Sequence, residues 1–151
     1  MEALHPILNE LESKIASKDS INTEISQSDV SWHIAHSLKV VANITKVLQS
    51  SDPKEYRWQF NWIRSLVFIF NKIPRGKGKA PKSVIPEENK SAAELQQELD
   101  SVRTLTHALE NLHPKNHFKH PYFGVLNLKQ TQKFLVLHTK HHLKIIDDII
   151  K

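Results

Sequence analysis

The sequence predicts an all-α protein: an antiparallel four-helix bundle with one extra short buried helix. Three observations carry that prediction. Apolar residues recur at alternating steps of three and four in four stretches, the spacing that lines one face of a helix. No stretch alternates apolar and polar residues as a half-buried strand does. Gly is scarce, at 3 of 151 residues, and the charged content is ordinary, as in a folded chain rather than a disordered one. The length fits one domain, residues 1–151, with a real core.

The first helix is expected over Glu2 to Ser17, with Leu4, Ile7, Leu8, Leu11 and Ile15 on its apolar face. Lys18 to Ser28 is rich in Ser, Asn and Asp and reads as a loop. Ser28, Asp29 or Ser31 caps the second helix, which runs to Ser50. One of its faces holds Trp32, His36, Val40, Asn43 and Val47, and a neighbouring face holds Ile34, Leu38, Val41, Thr45 and Leu48. After the Ser51-Asp52-Pro53 turn, Lys54 to Lys72 reads as a helix apolar around most of its circumference, hence buried. Its most apolar part, Trp62 to Ile73, is too short to span a bilayer.

Ile73 to Lys82 holds two Gly, two Pro and four basic residues, and is a loop. Arg75, Lys77 and Lys79 could make it an anion-binding loop, and a solvated connection is the plainer reading. It lacks the Gly-Lys-Ser/Thr ending of a nucleotide phosphate loop. Ser91 and Glu94 form a capping box for the fourth helix, whose stripe is Ala92, Leu95, Leu99, Val102, Thr106 and Leu109. That helix ends near Leu112. The connection from His113 to Asn127 is expected to be a loop whose aromatics close one end of the bundle. The last helix begins near Leu128.

The chemistry concentrates on that last helix. Its inward stripe is Leu128, Thr131, Leu135, His138, His142, Ile145 and Ile149. His138 and His142, four apart, offer two imidazoles to one point inside the fold. His36 repeats the pattern on the second helix, one turn after Trp32 and one turn before Val40. Three neutral imidazoles suit a divalent metal ion, zinc or nickel. Core histidines satisfied by hydrogen bonds are the plainer reading of the same stripe. His33 fits an exposed or capping position, or a place in the pocket around the ligands with Trp32, His120 and His141.

Three segments in order resemble the DinB-like superfamily: Ser31-Trp32-His33-Ile34-Ala35-His36, His120-Pro121-Tyr122-Phe123-Gly124 and His138-Thr139-Lys140-His141-His142-Leu143. The Pro74 to Lys77 loop resembles the same bacterial branch, and the likeness runs from about Val30 to the C-terminus. The resemblance implies a four-helix bundle with a divalent metal on His36, His138 and His142, and His141 turned elsewhere. It also implies, among better-understood members, transfer to or from a low-molecular-weight thiol, or metal-dependent hydrolysis. Many members carry Gln where this chain has Ile145, so a shared substrate is not implied.

Composition narrows the remaining classes. The chain has no Cys, which excludes disulfides, thiolate ligands and a cysteine nucleophile. The net charge of +5 favours anionic ligands without naming one. Four charges in one loop and no continuous basic helix face put nucleic-acid binding well behind the other readings. No signal-peptide pattern opens the sequence, and the cytoplasm is the default location. Expected partners are a small-molecule substrate and a second copy in a homodimer, with no membrane. A metal-dependent enzyme leads, and a non-catalytic bundle holding a small ligand, its metal site vestigial or empty, is the alternative.

Overall fold

The computed structural model describes residues 4–76, 81–86 and 90–151. Glu2, Lys77 and Lys79, assigned above to the first helix and the basic loop, lie outside them. Five helices are present among the described residues: α1 His5–Ser13, α2 Val30–Ser50, α3 Trp62–Phe70, α4 Ala92–His107 and α5 Leu128–Ile150. Short 3-10 turns follow α1, α2 and α4, and another, Lys82–Val84, precedes α4. No helix is long and apolar enough to cross a membrane.

The four-helix frame forms because each frame helix carries one apolar stripe. α2 packs against α4 and α5, and α1 packs against the same two, which closes a ring with α1 opposite α2. Leu8, Leu11, Ile34, Leu38, Leu48, Leu95, Leu99, Leu135 and Ile146 fill its middle, each essentially inaccessible. The end-to-end contacts fix the directions. His5 meets His107 while Glu12 accepts from Gln96 and Arg103, so α1 and α4 are antiparallel. His33 near the start of α2 meets His142 near the end of α5, so these two are antiparallel as well.

The caps explain the boundaries. Asp29 accepts from the Trp32 amide, and the expected Ser91–Glu94 capping box is formed. A second box, Asn127–Gln130, starts α5. The first helix is shorter than expected. It stops at Ser13, whose hydroxyl bonds back to the Glu10 carbonyl at 2.7 Å, and resumes as a 3-10 turn over Ile15–Ser17.

Two expectations are overturned. The connection before α5 contains an antiparallel hairpin, β1 His117–His120 with β2 Gly124–Asn127. Four-residue strands are too short to show a period. Gly124, at φ +67°, supplies the left-handed residue that closes the three-residue turn. Secondly, the helix expected over Lys54 to Lys72 is only α3, and it is not buried. Asn61 caps it at Arg64, and the left-handed Asn71 ends it. Among α3 residues only Arg64 and Val67 are buried. Trp58, Phe60, Ile69 and Phe70 are 65, 71, 70 and 72 % exposed, and Trp62 and Leu66 are exposed beside them. Exposed apolar side chains gathered in one segment are the kind that marks a contact face.

Arg75 follows α3 and bonds Asp148 of α5 at 2.7 Å. Half-exposed pairs of this kind contribute little to stability. Replacing Arg75, Lys77 and Lys79 by Ser is expected to leave the thermal midpoint almost unchanged. A fall of roughly 10 °C in a melting curve would contradict this.

Candidate metal centre

Three imidazoles converge where α2 and α5 face each other. His36, His138 and His142 each offer a ligand nitrogen within 4.8 Å of the other two. Their ring centroids lie 4.6 Å apart for His138 and His142, 4.7 Å for His36 and His142, and 5.2 Å for His36 and His138. The sequence places them so because position 36 lies on the second-helix stripe, and positions 138 and 142 on the last. His36 and His142 are buried and His138 is half-buried. No Asp or Glu belongs to the group.

Each ring is held differently. Nδ1 of His36 lies 2.8 Å from the Val84 carbonyl, which can only accept, so the proton is on Nδ1 and Nε2 keeps its lone pair. The Val84 carbonyl is the middle of three. Those of Ser83 and Ile85 accept from Asn43 and Lys39 of α2, so residues 83–85 form a strap along the helix. Trp32 stacks flat on His36, 4.8 Å between centroids and 7° between planes, and covers one side of the group. Nδ1 of His138 is buried with no hydrogen-bond partner among the described residues. A polar atom in that state costs about 1–3 kcal/mol; in the tautomer protonated on Nε2 it has a lone pair free for a cation. Nδ1 of His142 lies 3.0 Å from Nδ1 of His33.

His33 departs from the exposed position expected for it. It is 4 % exposed, touches His142, and bonds the Ser26 hydroxyl through Nε2 at 3.0 Å. His141 is half-buried and turned from the group toward the Ile73 backbone carbonyl. His120 is not in the group. Its Nδ1 accepts from the Tyr122 and Phe123 amides, and its ring stacks on Phe123 at 4.3 Å. Phe134 touches both His120 and His138. The imidazole of the His-Pro-x-Phe-Gly segment therefore builds the hairpin turn. Arg75 lies close enough to disfavour protonation of His33 and His141, but its guanidinium is already engaged by Asp148.

A second group of ligand type, His5, His107 and Glu110, lies at the surface between α1 and the end of α4. His107 and Glu110 are exposed.

Burial sets the protonation state. It pushes His36, His138 and His142 below the ordinary imidazole value, so proton competition for their nitrogens moves to lower pH. Burial holds His33 and His120 at about 4, against 6.5 for an ordinary imidazole. The unfolded chain regains the ordinary value and binds more protons than the folded chain between these limits. Stability is therefore fully present above about 6.5 and is lost as the pH falls toward 4. Urea unfolding of metal-free protein should show a lower midpoint at pH 5 than at pH 7. An equal or higher midpoint at pH 5 would contradict the assignment of buried neutral rings.

Residues 26–146 match the DinB superfamily. No curated protein and no solved structure gives a significant match.

Proposed function

Because the chain belongs to the DinB superfamily, we propose that it is a metal-dependent enzyme in which His36, His138 and His142 hold a divalent cation, zinc or nickel. The observation that carries this reading is the convergence of three buried or half-buried imidazoles with no carboxylate among them. The partnerless Nδ1 of His138 supports it. Imidazole donors suit zinc and nickel, and three protein ligands leave room for an exogenous one. When bound, such an ion lowers the pKa of a coordinated thiol or water and so supplies a nucleophile near neutral pH.

The residues around the group prepare it for that role. The Val84 carbonyl fixes the orientation of His36, and Trp32 shields its face from water. Three neutral ligands leave the charge of a cation uncompensated, which favours an anionic or thiolate ligand. The chain has no Cys, so a thiol must come from the substrate or from a low-molecular-weight cofactor. Thiol-dependent transfer to a small electrophile is the proposed reaction, with metal-assisted hydrolysis second. An anion-binding contribution from the Arg75 loop belongs to the same proposal.

Zinc- or nickel-loaded protein should turn over electrophiles only when a small thiol is added, and a chelator should abolish turnover. Turnover with water alone identifies a hydrolase. Stoichiometric ligand binding without any turnover identifies the alternative, a non-catalytic bundle that holds a small ligand.

A further inference from the structure

The contact between His33 and His142 joins two Nδ1 atoms. A neutral imidazole carries one proton, on one nitrogen or the other. Across 3.0 Å one Nδ1 must donate and the other accept. If His33 donates, the proton of His142 sits on Nε2, where it finds no acceptor among the described residues and blocks the lone pair. If His142 donates, its Nε2 is bare, and His33 carries its own proton on Nε2, 3.0 Å from Ser26 Oγ. That oxygen already accepts from the Ser28 amide at 3.1 Å and has a second lone pair for the His33 proton. Only the second arrangement leaves Nε2 of His142 bare for an ion.

We propose that Ser26 and His33 form a positioning relay that holds the proton of His142 on Nδ1 and so presents its Nε2 lone pair to the cation. The inference rests on the metal reading above. It assigns to a buried histidine the role that the Val84 carbonyl has for His36. The two ligand rings are thereby set by different devices: His36 by a backbone acceptor that cannot reverse, His142 by a side-chain chain that can. The fixed tautomer requires Ser26, in the loop before α2, to stay docked on His33.

A long-range 1H–15N correlation spectrum of the metal-free protein at neutral pH reads the tautomers directly. His142 should be protonated on Nδ1 and His33 on Nε2. His33→Phe should release His142 to the Nε2–H form and weaken zinc binding about 10–100-fold. His33→Asn places an amide oxygen where Nδ1 sits and should restore both properties. Ser26→Ala should shift part of the His142 population the same way, with a smaller loss of affinity. Circular dichroism checks that each variant is folded. A wild-type His142 protonated on Nε2 overturns the proposal. So does a folded His33→Phe or Ser26→Ala with the wild-type tautomer and zinc affinity. Failure of the wild type to bind zinc would sink the metal reading instead, and the spectrum of the metal-free chain would still decide the role of His33.

Discussion

Replacing His142 by Ala is expected to abolish stoichiometric zinc binding, with a loss of about 100-fold or more in affinity, while the helices persist. His142 touches both other rings of the group and takes the His33 contact, so its removal withdraws one ligand and leaves an unpaired nitrogen on His33. Loss of an outer-shell partner alone costs about 10–100-fold, and loss of a ligand should exceed that. His36→Ala and His138→Ala should act in the same direction. His113→Ala is the control, because that ring lies exposed in a turn and accepts only from the Lys115 amide. His107→Ala should likewise leave the tight site intact, since its group lies at the surface. Isothermal titration with zinc on folded variants measures all five. Wild-type affinity in the three ligand variants would show that the convergent imidazoles are only core residues.

Arg64→Ala should destabilise the fold by roughly 2–4 kcal/mol. Arg64 is 4 % exposed, and its guanidinium donates to the carbonyls of Gln59, Phe123 and Val125. It ties α3 to the hairpin, alongside Asn61 on the Tyr122 carbonyl, while Lys133 of α5 holds α3 through the Phe68 carbonyl. Phe123 in turn packs on Phe134, which touches His138. Lysine at this position should recover only part of the loss, because an ammonium cannot reach divergent carbonyls as a planar fork does. Chemical denaturation of the two variants tests this. A loss below about 1 kcal/mol for Arg64→Ala would show that solvent replaces the guanidinium freely.

The parts of this fold that were legible in the sequence are those set by long periodic stripes. α2, α4 and α5 each repeat their apolar positions over four turns or more, and a single periodicity fixes which side faces inward. His36, His138 and His142 were legible for that reason, since each replaces an apolar residue on such a stripe. α3 was misread by the same rule. A short segment apolar on every side looks buried whatever covers it, and here Trp62, Leu66, Ile69 and Phe70 lie open. The hairpin was hidden because its strands have four residues each. The Asn127-x-x-Gln130 box was readable and marks where the hairpin gives way to α5.

The partners of the site were the least legible. The Val84 carbonyl carries no side-chain signature, and only the strap along α2 brings it to His36. His33 lies off the stripe of His36, and its contact with His142 spans 109 positions of sequence. Arg64, a cation inside an apolar run, is satisfied by carbonyls that no composition rule identifies.

The central claim is that three histidines of this chain hold a divalent ion, and metal analysis of freshly purified protein tests it most directly. The account predicts about one equivalent of zinc or nickel per chain, retained through gel filtration and absent from folded His138→Ala. Wild-type protein that carries no metal and takes up none at neutral pH, or a His138→Ala variant that keeps the wild-type metal content, would contradict it.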